Sequence, residues 1–316
     1  MRLAYSRFGE GNESNVVILH GLLGSKRNWF GIGKSLADLG FHVWLIDLRN
    51  HGESEWSDKH TYFDLAEDVK KLLEEQGIVN SFLIGHSMGG KAAMVLDKLY
   101  QGFISKLVIV DIAPVTYAPN FENYLKTLSS LDLGRFNTRS EIDTKLSEYF
   151  EEVSFRSFLM QNLKMDEKKR FYWRVNLRSL IRNAIAISEF PVINGVSNTE
   201  ALFIYGELSE YGVIEYKDTI CLFGFGISIP IVDLPSITST TLTLLTARDL
   251  ARSFAIFETW LAFVPGARLI SNLVITGPGN EPSTLPSIPN SRSLATRLSD
   301  RSSKYSLVTV DDSSTF

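Results

Sequence analysis

The sequence predicts an α/β fold with a mainly parallel, doubly wound sheet and an inserted helical cap. Short apolar runs alternate with amphipathic helical segments over the first 111 residues, and this alternation is typical of a buried parallel sheet with right-handed crossovers. Over residues 117–198 the strand-like runs disappear, and polar helical segments replace them. We therefore expect a core formed by residues 1–116 and 199–222, with residues 117–198 as the cap.

Five apolar runs are predicted to form the strands of the sheet. Each is short, is apolar on both faces, and is bounded by glycine or by polar residues, as buried strands are. The predicted strands span residues 15–20, 41–47, 81–85, 106–111 and 201–206.

Helices are predicted where apolar side chains recur at helical spacing. Within residues 62–76, one face carries Leu65, Val69, Leu72 and Leu73. We expect the charged side chains largely on the other faces, namely Asp64, Asp68 and Lys71. The cap helices are predicted over residues 120–131, 140–152, 155–163 and 173–187.

Composition excludes several classes of protein. The net charge of −4 does not suggest a nucleic-acid or anionic-membrane partner. The one cysteine, Cys221, permits no intramolecular disulfide and fits a reducing compartment. No uninterrupted apolar run reaches the 18 or so residues of a membrane span, and the first residues lack the apolar core of a secretory signal. We expect an intracellular protein without a transmembrane segment, cofactor or metal.

Residues 85–89 read Gly-His-Ser-Met-Gly, directly after an apolar run and before a helical one. In that context the pattern predicts a nucleophile elbow, in which a serine occupies a strained strand-to-helix turn. Gly85 and Gly89 lack a Cβ, so the strand and helix can approach closely. The helix N-terminus places a positive dipole near developing negative charge. These flanks favour Ser87 as a nucleophile over the alternative, a structural glycine-rich turn.

An oxyanion hole is predicted beside this serine. Residues 20–24 read His-Gly-Leu-Leu-Gly and follow the first long apolar run. In this context one backbone N–H comes from that loop and the other from the residue after the nucleophile. These would be the amides of Leu22 and Met88, with Gly21 in the same motif. We expect His20 to support the loop by packing its ring beneath it.

Four motifs together resemble one branch of the α/β hydrolases, which contains small bacterial acyl esterases and the α/β-hydrolase domain-containing protein 11 group of animals. The motifs are residues 20–25 (HGLLGS), 47–54 (DLRNHGES), 85–91 (GHSMGGK) and 110–115 (VDIAPV). The resemblance covers residues 1 to about 220. It implies the α/β-hydrolase fold, and hydrolysis of a small-molecule carboxylic ester or thioester through an acyl-serine. Of the two intracellular locations expected, cytoplasmic and mitochondrial, only the mitochondrial one is implied by the resemblance, and the first residues show no clear transit peptide. The resemblance identifies no protein partner.

The resemblance also assigns supporting roles. It implies that Asp111 is the acid of the catalytic triad, with Glu207 in reserve; the alternative for Asp111 is a helix or loop cap. Arg49, Asn50 and His51 match an Arg-Asn-His-Gly loop, which we expect to order the floor of the site through hydrogen bonds.

The base of the triad is missing from the expected place. A serine needs an adjacent imidazole to take its proton, and the resembling branch has that histidine in a late Gly-His-Trp loop. The chain has five histidines, and none follows Ser87: they are His20, His42, His51, His60 and His86. This predicts either a serine hydrolase whose base is elsewhere, or an impaired or inactive relative that acts as a binding protein or is a variant product.

Residues 223–316 are predicted to form an atypical C-terminal region. Residues 263–270 resemble the segment that precedes the histidine loop, but no histidine follows them. An altered reading frame or retained intervening sequence explains this ending, and a diverged but genuine ending is the alternative. From about residue 277, Ser and Pro dominate, and we expect disorder there.

Apolar side chains of the cap are expected to line an acyl pocket, with simple packing in the cap as the alternative. The candidates are Phe155, Phe158, Leu159, Trp173 and Leu177.

Overall fold

The computed structural model describes a central sheet, flanking helices and a cap. It describes residues 1–194, 197–209, 211, 213–216, 219–220 and 232–238. Most of the predicted C-terminal region, including the predicted disorder from residue 277, lies outside the described residues.

Nine strands are present among the described residues. They are β1 (Tyr5–Phe8), β2 (Ser14–Leu19), β3 (Phe41–Ile46), β4 (Ser81–His86), β5 (Ile104–Val110), β6 (Leu163–Met165), β7 (Phe171–Trp173), β8 (Glu200–Leu208) and β9 (Val232–Thr238). Eight α-helices lie between them: α1 (Phe30–Asp38), α2 (Tyr62–Glu75), α3 (Met88–Leu99), α4 (Phe121–Ser130), α5 (Arg139–Ser147), α6 (Val153–Met160), α7 (Leu177–Arg182) and α8 (Ala184–Ser188). Short 3₁₀ turns occur at Lys26–Trp29, Leu133–Arg135 and Val213–Tyr216.

The main sheet has the strand order β1-β3-β2-β4-β5-β8-β9. Every pairing in it is parallel except that of β1 with β3. The predicted mainly parallel, doubly wound sheet is therefore confirmed. Strand β1 was not predicted, because its four residues form no apolar run: three side chains are partly buried and one is exposed.

Both faces of the sheet are covered, which explains why its strands are apolar throughout. Along β2, Val16 and Ile18 pack into the core on one face, together with α1 residues such as Leu36. Val17 and Leu19 pack into the core on the other face, against residues of α2 and α3. Successive side chains of a strand point to opposite faces, so a strand between two helical layers needs apolar residues at every position.

The sheet continues beyond residue 222. Strand β9 pairs in parallel with β8, with Ile204 opposite Val232. The sheet thus includes a segment that the sequence analysis placed in the atypical C-terminal region.

The cap differs from the prediction in a strand pair and in the ends of its helices. Strands β6 and β7 form an antiparallel pair in which Leu163 lies opposite Trp173. The predicted helices over 155–163 and 173–187 are therefore wrong over residues 161–163 and 173–176, and the second is divided into α7 and α8. The helix predicted over 140–152 also ends earlier, at Ser147. The turn between the strands is closed by Asp166, whose carboxylate accepts hydrogen bonds from the backbone and side chain of Arg170. Each strand has three residues, too few to display an alternating pattern.

Helix α2 buries its predicted apolar face, but it also buries a charge. Leu65, Val69, Leu72 and Leu73 are all in the core. Asp68, expected among the more exposed residues, is buried as well. Its Oδ2 accepts a hydrogen bond of 2.6 Å from Nε of Arg49, which is also buried. A buried carboxylate is tolerated when it is paired and hydrogen-bonded, and Arg49 supplies that pairing.

No described helix is both long enough and apolar enough to cross a membrane.

We expect Asp68→Ala to lower the free energy of unfolding by about 3 kcal/mol, the lower end of the cost of breaking a buried ion pair. The variant removes the buried carboxylate from Arg49 and leaves the guanidinium only its longer ion pair of 3.2 Å with the less buried Asp64. Urea denaturation measures the change. Glu75→Ala on the same helix is the control, since its ion pair with Lys71 is exposed on both sides and its loss costs under about 1 kcal/mol. Equal losses in the two variants would contradict the buried pairing.

Candidate active site

Ser87 occupies a strained turn between β4 and α3. Its φ of 49° and ψ of −116° place a non-glycine residue in a sparsely populated region, where strain marks functional sites. The turn is held by main-chain hydrogen bonds. The Ser87 N–H donates to the Val110 carbonyl at 2.9 Å, and the Ser87 carbonyl accepts from Gly90 and Lys91 at 2.9 and 3.1 Å.

The glycines around Ser87 are required by close main-chain approach. A Cβ on Gly89 would lie 2.5 Å from the carbonyl oxygen of Leu19 and 2.6 Å from that of His20. A Cβ on Gly85 would lie 2.5 Å from the carbonyl oxygen of Gly89. Helix α3 therefore begins against the end of β2 at a distance that no side chain permits.

Asp111 lies beside Ser87 at the carboxyl edge of the sheet. Strands β4 and β5 are parallel with His86 opposite Val110, so the next residues of the two strands are neighbours. Asp111 is 1% exposed, has a φ of 53°, and donates its N–H to the Ile204 carbonyl at 2.7 Å. Ser87 and Asp111 line the same cavity. Glu207, the reserve acid, is on β8, and its side chain lies outside what the structure describes.

The loop after β2 abuts Ser87. A Cβ on Gly21 would lie 3.3 Å from the Cβ of Ser87, and Leu22 and Met88 both line the cavity. The Leu23 amide donates to Nε2 of His51 at 3.2 Å. Within the described part of the chain, neither the Leu22 amide nor the Met88 amide donates a hydrogen bond. Neither amide therefore has a protein acceptor among the described residues, and the assignment of both to an oxyanion hole stays a prediction.

His20 and His51 join that loop to the loop after β3, and both nitrogens of each ring form hydrogen bonds. Nδ1 of His20 donates to the Gly21 carbonyl at 2.8 Å, and Nε2 accepts from the Leu48 amide at 3.0 Å. Nδ1 of His51 donates to the Arg49 carbonyl at 2.9 Å, while its Nε2 accepts the hydrogen bond from the Leu23 amide. Burial lowers the pKa of His20, and it lowers the pKa of His51 to about 3. Both rings are neutral and fully engaged in structural hydrogen bonds.

The other three histidines lie elsewhere around the fold. His86 lines the cavity, and its ring centroid is 6.2 Å from that of Trp29; burial lowers its pKa to about 4. His60 accepts from the Asn50 side-chain amide at 3.1 Å and contacts the Met88 sulfur at 3.4 Å. His42 is near the start of β3, at the edge opposite to Ser87.

Asn50 joins the loop after β3 to the cap. Its side-chain amide donates to Oγ of Ser179 at 3.2 Å, and its Oδ1 accepts from the Asn176 side chain at 2.9 Å. The main-chain N–H of Asn176 also donates to the main-chain carbonyl of Asn50 at 2.9 Å. This buried polar contact fixes the start of α7 against the loop that carries Arg49 and His51.

The cavity above Ser87 has a volume of about 560 Å³, within the range of small-molecule sites. Of the five cap residues proposed as its lining, Phe155 and Phe158 do line it. Leu159, Trp173 and Leu177 pack in the core of the cap, as the alternative interpretation held. No described cluster of three His, Cys, Asp or Glu side chains is suited to a metal ion.

Lys91 is a cavity residue that the sequence analysis missed. It is 2% exposed and lines the cavity together with Tyr62 and Tyr117. Its ammonium donates to the main-chain carbonyls of Ser188 at 2.7 Å and Glu189 at 3.1 Å. The sequence feature that could have indicated its burial is its position at the start of an otherwise apolar helical run, Lys-Ala-Ala-Met-Val-Leu.

We expect Gly89→Ala to lower the free energy of unfolding by about 1–3 kcal/mol, the usual cost of overpacking, because two main-chain oxygens lie within 3 Å of the new Cβ. Thermal and urea unfolding measure the effect. Gly31→Ala on α1 is the matched control, because nothing lies within 4 Å of its Cβ and alanine favours helix by about 1 kcal/mol. A Gly89→Ala protein as stable as the unmodified chain would contradict the close approach described here.

Comparisons with known proteins agree with this architecture. Residues 15–177 match the alpha/beta hydrolase fold family. The chain is 36% identical over 219 residues to a sn-1-specific diacylglycerol lipase ABHD11 of Danio rerio, covering 67% of this chain and 69% of that protein. It is 30% identical over 215 residues to Esterase YbfF of Escherichia coli, covering 66% and 80%. A solved marine microorganism esterase is similar with a TM-score of 0.73 and 32% identity, covering 83% of this chain and 99% of that one. The chain belongs to the α/β hydrolase fold family, among relatives named as esterases and lipases.

Proposed function

We propose that this protein acts on a carboxylic ester or thioester through an acyl intermediate on Ser87. The observation that carries the proposal is the meeting of Ser87 and Asp111 at the ends of β4 and β5, below one cavity of about 560 Å³. Relatives named as esterases and lipases support a small-molecule acyl ester as the substrate.

The proposed chemistry follows from the positions of these groups. Oγ of Ser87 attacks the acyl carbon, and the carbonyl oxygen becomes an oxyanion. The amides of Leu22 and Met88 donate to that oxyanion, and one such donor contributes about 10²–10³ in rate. Collapse of the tetrahedral intermediate expels the alcohol or thiol and leaves an acyl ester on Ser87. Water then attacks the acyl carbon by the same route and releases the carboxylic acid.

The proposed site lacks an evident acceptor for the Ser87 proton. The Ser87 proton must pass to a base, and the role proposed for Asp111 is to orient an imidazole that takes it. No histidine follows Ser87 in the sequence, and both ring nitrogens of His20 and of His51 are engaged elsewhere. The proposed site thus holds a nucleophile, an acid and an oxyanion hole without a base between the first two.

This absence favours a second candidate function, an impaired hydrolase that binds esters and turns them over slowly. Loss of a triad member leaves roughly 10³–10⁴-fold catalysis over water, from the oxyanion hole and binding. The two candidates share one site and differ in whether a base completes it.

Three statements about the whole protein stay predictions. They are the division into a core (residues 1–116 and 199–222), a cap (117–198) and a C-terminal region (223–316), the intracellular location, and the absence of a nucleic-acid partner.

We expect the unmodified chain to hydrolyse 4-nitrophenyl butyrate slowly. Ser87→Ala should change the steady-state rate little, because the nucleophile has no base to activate it. Replacing residues 222–316 by the ending of a related esterase that carries the Gly-His-Trp loop should raise the rate by orders of magnitude. In that chimera, Ser87→Ala should abolish the gain and Asp111→Asn should strongly reduce it.

The matched control for the chimera is the same ending with its histidine replaced by alanine, which should fold equally well and stay slow. A chimera that folds but gains nothing over this control would overturn the proposed triad. Rapid turnover by the unmodified chain would show that a histidine assigned here to structure reaches Ser87.

A further inference from the structure

Lys91 places a buried ammonium at the wall of the cavity. The lysine is on α3, one helical turn after Ser87, and is almost completely shielded from solvent. Its nitrogen lies 5.0 Å from the ring centre of Tyr117 and 5.7 Å from that of Tyr62. Both rings, and the Ser188 whose carbonyl the ammonium contacts, line the cavity. Three of the four groups around this nitrogen therefore border the space where a substrate binds.

The hydrogen bonds of this ammonium go to neutral groups. Its hydrogen-bond acceptors are the neutral main-chain carbonyls of Ser188 and Glu189. The carboxylate that attracts Lys91 is that of Glu189, but this side chain is exposed to solvent and provides no oxygen to the hydrogen bonds of the ammonium, which go to main-chain carbonyls. An ammonium has three N–H donors, and a buried charge is costly unless it is paired and hydrogen-bonded. An anion that enters the cavity meets this requirement.

The other charged groups of the cavity are placed differently. Asp111 lies beside Ser87, where the ester carbonyl reacts, while Glu151 and Glu152 lie on the exposed part of the cap before α6. His20 and His86 line the cavity, but burial lowers the pKa of both rings, so they are neutral at pH 7. Lys91 is thus the cation among the described lining residues, and aromatic rings flank it on two sides.

We propose that Lys91 binds a carboxylate at the far end of the acyl chain, so that the preferred substrates are half-esters or half-thioesters of dicarboxylic acids. The inference rests on the proposed function, because it takes the ester carbonyl to lie at Ser87. A substrate held at both ends is oriented for attack: the carbonyl lies in the oxyanion hole, and the terminal carboxylate forms a charge-assisted hydrogen bond with the ammonium.

A structural role for Lys91 is the competing interpretation. The ammonium joins α3 to the end of α8, whose last carbonyls it satisfies, so it also fixes the cap to the helix that carries Ser87. A lysine with this role alone would not distinguish a charged ligand from a neutral one. Charge selectivity therefore separates the two roles.

The test is equilibrium binding to the Ser87→Ala protein, which cannot hydrolyse the ligands. Calorimetry compares monomethyl adipate, which has one carboxylate, with neutral dimethyl adipate. Because burial lowers the pKa of Lys91 to about 7, the titrations are made at pH 6, where the ammonium is charged. We expect the anionic ester to bind about tenfold more tightly, as one charge-assisted hydrogen bond implies.

Adding Lys91→Met should remove this preference and leave the affinity for dimethyl adipate within about twofold. Lys71→Met is the matched control, because it removes one exposed positive charge from α2 and should leave the preference unchanged. Lys91→Gln retains a donor for the Ser188 carbonyl and serves if the methionine variant fails to fold.

Equal or tighter binding of the neutral ester by the Ser87→Ala protein would overturn the inference, and so would binding of neither ligand. An equal loss of preference in the Lys71→Met and Lys91→Met proteins would also overturn it. The preference would then arise from long-range attraction to the positive charges of the protein and not from contact with Lys91. These measurements involve no acyl transfer. Failure of the histidine chimera would therefore refute the Ser87 mechanism and leave the binding preference to be judged separately.

Discussion

The site depends on one main-chain constraint, the turn that carries the chain from β4 into α3 at Ser87. The parallel register of β4 with β5 lets the Ser87 amide reach the Val110 carbonyl, and that bond holds a left-handed residue that the chain would otherwise avoid. Close approach of α3 to β2 then brings the loop after β2 beside the serine. A side chain at Gly89, or a shift in the register of β4 with β5, would move Ser87 away from both the Val110 carbonyl and the loop after β2.

Buried polar contacts hold the surroundings of this turn. Arg49 forms an ion pair with Asp68 on α2, and His51 accepts a hydrogen bond from the Leu23 amide. Asn50 donates a hydrogen bond to Ser179 on α7 in the cap. Three consecutive loop residues thus contact a helix, the loop after β2 and the cap. Each contact leaves an unsatisfied buried group when one partner is removed, which explains why this loop is rich in polar side chains although it is almost entirely buried.

Local patterns predicted the sheet and the turn, because a buried parallel strand needs apolar residues at every position and the elbow needs glycines at fixed spacing. They did not predict the short β1 strand or the β6–β7 pair, whose strands are too short to display a period. The burial of Asp68 and Lys91 was also missed, because it is decided by partners distant in sequence: Arg49 for the first, and the carbonyls of Ser188 and Glu189 for the second. The position of Asp111 beside Ser87 followed from a family resemblance, and the register of β4 with β5 supplies its physical reason.

The central claim is that Ser87 is a nucleophile that lacks a base, and trapping the acyl-enzyme tests it most directly. Acylation is slow without a base, because the Ser87 proton must pass to water, but 4-nitrophenolate leaves without needing a proton. Deacylation is slower still, because water must then attack an ester with a poor leaving group and no base to activate it, so acyl-Ser87 should form slowly and accumulate. The measurement is intact-mass spectrometry after the unmodified chain is mixed with 4-nitrophenyl butyrate, followed by peptide mapping. The account predicts one butyryl group per chain, on Ser87, and none in Ser87→Ala. Label at another residue, or equal labelling of the Ser87→Ala protein, would contradict it.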